Sequence, residues 1–314
     1  MQDPSEKQPL YKQIMTWVAA AAILLFLFWR IDINQFKSAI IHANLYVYIP
    51  LMIFFVGVWF YLESQNLTAL FSHFNHSLPY SDVLRIRGIT YLLMIINYNL
   101  GIGGMALYLK KKKGVSLTRS ASLMSFYMFS ENICLSIMAA IGCTFSPDSS
   151  PVIDTILIIC SGLIVFNIAI VLLFKALPEK GVFKKIKNFE LLSTHKEAGL
   201  RTYFLLPFWR GLYFFTFIIF FYFAAQSFEI YLPFMTMAAL VPIIFFIGNI
   251  PITPFGLGTI QAAMLYFFKD YGTEANILAF SIIYSTTLML FRAPIGLYYL
   301  KKEGKAILKF SNNS

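Results

Sequence analysis

The chain has 314 residues, of which 58% are hydrophobic and only 13% charged, with a net charge of +10 and a mean hydropathy of +0.69. A soluble domain is usually near half apolar and a quarter charged, so this composition excludes an ordinary soluble enzyme and points to an all-α polytopic membrane protein. The 33 Phe, 18 Tyr and 12 Met make a surface that water alone would not keep in solution.

Taken in chain order, apolar runs long enough to cross a bilayer occupy 14–29, 45–62, 120–146, 152–174, 203–224 and 275–300. Two further regions, 88–109 and 231–268, are interrupted, so the pattern predicts about six full spans plus two interrupted or re-entrant helical regions. The first run lacks a small-residue cleavage site and reads as a retained span. Between the second and third runs, 63–87 is partly amphipathic and is expected on the cytoplasmic interface, as is 178–201. Cys134, Cys143 and Cys160 all fall within spans and show no metal-ligand spacing. Tyr46, Tyr48, Trp17 and Tyr298–Tyr299 read as interfacial belt residues.

Basic residues fix the orientation. Lys110–Lys113 and Arg119 form one group, seven Lys and Arg lie in 175–202, and Lys301, Lys302, Lys305 and Lys309 close the chain. The connections 147–151 and 225–230 hold no Lys or Arg, only Asp148 and Glu229. The positive-inside rule places the three basic groups in the cytoplasm. Region 231–268 then begins and ends outside, either as two crossings or as a hairpin that dips in. Region 88–109 is one span or a re-entrant hairpin, and the charge counts favour the hairpin with both termini cytoplasmic. The positive charge thus reflects topology and affinity for anionic phospholipid headgroups, and no basic domain stands apart to bind nucleic acid.

The interruptions carry the chemistry. "GNIPITPFGLG" places Pro251, Pro254, Gly256 and Gly258 in a deep apolar stretch, beside Asn249 and Thr253. "INYNLGIGGMALYLKKKK" does the same with Asn97, Asn99, Gly101, Gly103 and Gly104. Prolines remove helix hydrogen bonds and glycines permit positive φ. Irregular backbone at depth is tolerated only against protein or water, so each break is expected to line a cavity. "GIGGMALYLKK" and "FGLGTIQAAMLYFFK" are alike, and they dip from opposite sides in this topology. That is the trace of an inverted repeat within a single integral membrane domain, with halves near 1–150 and 151–314.

Three charges lie inside spans: Glu131, Arg210 and Arg292. Intramembrane ions are costly and face a partner or water, so a Glu131–Arg292 or Glu131–Arg210 pair is expected. The plainer reading is a fold-fixing pair; the functional one gives Arg, whose planar fork matches two phosphate oxygens, a headgroup to hold. The neutral set Asn97, Asn99, Asn132, Asn249, Thr253 and Gln261 either satisfies the freed backbone of the breaks or coordinates a headgroup. No phosphate loop, His-Glu-x-x-His run or paired cysteines occur, so no catalytic constellation and no cofactor is expected. His42, His73, His76 and His195 fall in connections, and His73 and His76 read as surface residues.

"IPITPFGLGTIQAAMLYFF" resembles the Pro-x-x-Pro-Gly-Gly-x-Gly-x-x-Glu signature of the lysylphosphatidylglycerol synthase transmembrane-region family. "NYNLGIGGMALYLKKKKGVSLTRSASLMSFYMFSENI" resembles its other signature, a Gly-Gly-Glu turn, a basic loop and a span with Glu-Arg. The resemblance implies a bacterial inner-membrane protein that moves a lipid or lipid-linked headgroup between leaflets, with re-entrant segments around a central cavity. It also implies a stand-alone member without the soluble aminoacyl-transfer domain. Three family ionisable positions are neutral here: Met105, Asn132 and Gln261. A small-solute transporter or channel, or a membrane accessory protein without transport, are the competing expectations.

Overall fold

The computed structural model describes residues 10–74, 78–96, 98–176, 180–250, 252–253 and 256–311. The described residues form helices, with one 3₁₀ turn, and no strand occurs among them. Five helices are long and apolar enough to cross a bilayer: α3 (Leu45–His73), α6 (Leu117–Phe145), α7 (Pro151–Lys175), α10 (Leu200–Gln226) and the first 29 residues of α13 (Glu274–Ser311). A sixth span is available from α1 (Leu10–Arg30), which bends by 93° into α2 (Ile33–His42). Asp32 caps the start of α2, its carboxylate accepting the Asn34 N–H at 2.7 Å, and Asn44 and Ser116 cap α3 and α6 in the same way.

Both interrupted regions are helical hairpins. The first consists of α4 (Tyr80–Ile96) and α5 (Tyr98–Lys113), packed side by side. Here the structure corrects the reading of the glycines: Gly101, Gly103 and Gly104 lie within α5 and do not break it. Gly101 and Gly104 instead let α5 approach α4, since a Cβ would fall 2.2 Å from Met94 Cγ and 2.4 Å from Leu93 Cδ1. Gly103 is exposed and meets nothing. Asn97, between the two helices, lies outside the described residues, as do the side chain of Asn99 and all of Pro251 and Pro254.

The second hairpin joins α11 (Phe234–Asn249) to α12 (Thr259–Phe268). Its glycines do bend the backbone: Gly256 has φ 68° and Gly258 has φ 87°. Gly258 also abuts α1, a Cβ there lying 3.0 Å from Ile23 Cβ. L side chains rarely adopt this conformation, so the elbow depends on glycine at both positions.

The hairpins enter from opposite ends of the bundle and share α13. Leu92 of α4 packs on Gly296, and Gln261 of α12 donates to Ser285 Oγ at 3.0 Å. By helical rise, the end of α4 and the start of α12 both come level with α13 within about a turn of Thr287. The elbows thus reach one depth, with α13 forming the extensive contact to each. The sequence expected the elbows to meet near the midplane; the described residues bring each of them to this shared helix.

Two apolar clusters stack along the bundle. One gathers the second half of α3, the α4–α5 hairpin and the first half of α6; the other gathers the first half of α3, the second half of α6, most of α10, α11, α12 and the start of α13. The basic end is closed by α8 (Gly181–Lys187), the turn Glu190–Leu192 and α9 (Ser193–Glu197). The segment 178–201, expected wholly at the interface, therefore sends α9 inward: Thr194 and His195 are buried. Arg119 pairs with Glu197, and Ser122 Oγ donates to Thr194 Oγ1 at 2.8 Å. Tyr48, expected in the interfacial belt, is fully buried, and its hydroxyl lies 2.7 Å from Thr287 Oγ1.

Two expected outcomes test this arrangement. A Cβ at Gly142 of α6 would sit 2.2 Å from the Ala239 carbonyl oxygen of α11, a backbone atom that cannot swing aside. Gly142→Ala should cost about 1–3 kcal/mol of stability in detergent melts, while Gly57→Ala and Gly103→Ala, which face open space, should not. His195 sits among Phe126, Phe129 and Phe174; burial, helped by Lys175, holds its imidazole down to about 4. Between about pH 6.5 and 4 the unfolded chain carries a proton that the folded one refuses, so stability falls as pH falls through that window. The melting temperature should drop between pH 7 and 5, and drop less in His195→Gln.

Candidate functional site: a charged layer inside the bundle

Where the two apolar clusters abut, α3, α6 and α10 each carry a charged residue. Glu131 is the middle residue of α6, and Arg210 Nη2 meets its Oε2 at 2.5 Å. Of the two pairings open from the sequence, Glu131–Arg210 is therefore the one formed. Arg210 is 2% exposed and also lies over the Tyr127 and Tyr213 rings, each 4.8 Å from its guanidinium carbon. Aromatic faces add to the stabilisation of a desolvated guanidinium.

A second pair was not found from the sequence. Glu63 on α3 accepts two hydrogen bonds from Arg87 on α4, Nε to Oε2 at 2.9 Å and Nη2 to Oε1 at 2.5 Å. Tyr91 OH donates to the same Oε2 at 2.5 Å. Glu63 and Arg87 are 2% and 1% exposed. The segment 63–87 is thus no interfacial loop: α3 runs on to His73 and α4 begins at Tyr80. The apolar windows 45–62 and 88–109 end at these very charges, because a hydropathy window stops at an ion whether or not a partner awaits it. A Glu closing one run and an Arg opening the next was the available signal.

Arg292 on α13 joins this second group. Its guanidinium carbon lies 4.8 Å from the centre of the Tyr91 ring, on which Arg87 also rests at 5.1 Å. Its Nε is buried without a hydrogen-bond partner, and among the described residues no carboxylate forms an ion pair with it.

The neutral residues divide. Gln261 is buried at the second elbow, its Oε1 accepting the Gly258 N–H at 2.6 Å and its Nε2 donating to Ser285 Oγ. Thr253 is buried, with Oγ1 3.3 Å from Thr259 Oγ1, and Thr259 donates to the Gly256 carbonyl at 3.0 Å. Gln261 therefore satisfies the elbow's backbone directly, while Thr253 reaches it only through Thr259. Asn249 and Asn132 are exposed rather than gathered at the charged layer: Asn249 ends α11, and Asn132 points away from the side that carries Glu131. Met105 is fully buried in the apolar cluster of the first hairpin, where a carboxylate would need a partner of its own.

Two clefts on the bundle are apolar and are lined by none of these charged side chains. One is a groove of about 610 Å³ between α3 and α10, lined by Phe54, Gly57, Tyr61, Leu62, Leu212 and Phe215 among others. A second of about 260 Å³ lies between α12, Ile23 and Val152. Glu131 and Arg210 are joined by their ion pair, and Arg292 stands in the other group, with Tyr91, Arg87 and Glu63.

The model of the lysylphosphatidylglycerol synthase TM region matches residues 13–296. The chain belongs to this family. Curated proteins return no match. Family membership supports a lipid-related, flippase-like membrane protein, and the match spans both hairpins and every charge of the layer.

The pairs carry a measurable consequence. Removing one partner leaves a buried ion, costing about 3–5 kcal/mol, whereas neutralising both removes the desolvation cost as well. Arg210→Gln and Glu131→Gln should each lower stability by that order in detergent melts, and the double variant should recover most of the loss. Equal melting of all four proteins would show the pair to be solvated.

Proposed function

We propose that this protein moves a lipid or lipid-linked headgroup between the leaflets of a bacterial cytoplasmic membrane, with both termini on the cytoplasmic side. The observation that carries the reading is the lateral groove between α3 and α10. Its walls are apolar, and Phe54, Tyr61 and Phe215 are more than 40% exposed toward the region lipid would fill. Leu62 in that groove adjoins Glu63, and Leu212 lies two positions from Arg210. An acyl chain in the groove would therefore run beside the turns that bear the charged layer. A lateral opening suits an amphiphile whose tail stays in lipid, whereas a small solute needs an enclosed pore. The succession α3, hairpin, α6 and then α10, hairpin, α13 supports the reading of two inverted halves, each with its re-entrant hairpin.

Such movement requires the paired charges to admit the headgroup, so the paired arrangement is one state of a two-state element. The groove supplies the test. In proteoliposomes holding a labelled phospholipid, the wild type should transfer label between leaflets faster than protein-free vesicles. Gly57→Leu, which fills the groove where nothing lies within 4 Å of the added Cβ, should slow it about tenfold or more without loss of folding. Flux of small solutes with static lipid would favour the transporter reading; neither movement would favour an accessory role.

A further inference from the structure

Three arginines and two glutamates occupy the charged layer, and the glutamates are both taken. Glu63 is engaged by Arg87 and Tyr91, and Glu131 by Arg210. The layer therefore holds one positive charge more than its carboxylates neutralise, and the geometry identifies it as Arg292. Its Nε is buried and unpartnered; its contact is the face of Tyr91, which is shared with Arg87. Arg87 in turn keeps a buried Nη1 without a hydrogen-bond partner. Two guanidinium nitrogens with unused donor capacity thus border one aromatic ring.

Arg292 shares the field of Glu63, which Arg87 already engages, so the layer keeps a net positive charge, and such an excess is costly inside a membrane protein. Its cost is offset when an anion arrives. We infer that Arg292, with Arg87 beside it, is the seat of a phosphate-class anion, a phosphodiester or phosphomonoester that takes the place of the absent carboxylate. The fork of Arg292 matches two phosphate oxygens, and a tetrahedral anion offers further oxygens to Arg87. Arg292 is only partly buried, unlike Arg87 and Arg210, so it is the arginine of the layer that an incoming group can reach. The remaining arginines serve other ends: Arg210 is neutralised by Glu131, and Arg87 holds Glu63. This inference rests on the headgroup-moving reading and specifies the chemistry of its cargo.

The test uses the purified full-length chain in detergent, with Arg292→Gln, Arg292→Lys and Arg210→Gln. Melting is followed alone, with phosphatidylglycerol, with inorganic phosphate and with diacylglycerol, since a ligand that binds the folded state raises the melting temperature. Without ligand, Arg292→Gln should melt at or above the wild-type temperature, because it removes the layer's excess positive charge and breaks no ion pair, while Arg210→Gln melts lower. Phosphatidylglycerol should stabilise the wild type more than diacylglycerol does. Arg292→Gln should weaken that binding at least tenfold, and Arg292→Lys should restore part of it. Stabilisation by inorganic phosphate to the same degree would assign the seat to free phosphate; stabilisation by the lipid alone would assign it to a headgroup. The seat is refuted if Arg292→Gln melts as low as Arg210→Gln, or if phosphatidylglycerol and diacylglycerol act alike on both wild type and Arg292→Gln. Leaflet transfer measured on the same proteins separates the two ideas. Anion binding lost in Arg292→Gln without any transfer by the wild type would leave the seat standing and remove the translocator. Transfer unchanged in Arg292→Gln would do the reverse.

Discussion

The bundle depends on pairing ions where water cannot reach them. Glu131 with Arg210, and Glu63 with Arg87, tie α6 to α10 and α3 to α4 at the level where one apolar cluster gives way to the other. Apolar contacts within a membrane discriminate weakly between helix partners, since lipid tails are as apolar as leucine. A buried ion has far fewer acceptable neighbours, so these two pairs specify which helices lie together. The remaining structure follows from that choice: the first hairpin is held by Arg87 against α3, and α13 completes the layer through Arg292 and Tyr91.

Much of the fold was legible in the sequence. The spans, the two hairpins and their entry from opposite ends followed from apolar length, turn residues and the distribution of lysine and arginine, all of which reflect the energetics of inserting single segments. The bend at Gly256 and Gly258 was legible because a positive φ has a chemical signature. Gly101, Gly103 and Gly104 carried the same signature for a different purpose: a glycine that permits helix contact cannot be told from one that bends a turn until its neighbour is known. Met94 and Leu93 supply that neighbour.

The site was legible in part. Glu131, Arg210 and Arg292 stood out as ions inside apolar runs, and all three belong to the layer. Glu63, Arg87 and Tyr91 did not, because their presence at depth depends on one another across 24–28 residues of chain. Asn249 and Asn132 went the other way, their polarity suggesting a site while their helix faces carried them outward. A periodic pattern reports which residues can be buried together; it does not report which polar groups find partners.

At Gln261 the side chain is an amide, and that sets the elbow's chemistry. Its oxygen accepts from the elbow's own backbone while its nitrogen reaches α13 at Ser285, a two-sided clasp that a carboxylate, having no proton to donate, would leave half undone. An amide neither gains nor loses a proton across the physiological range. The hold of this elbow on α13 is therefore indifferent to pH across that range.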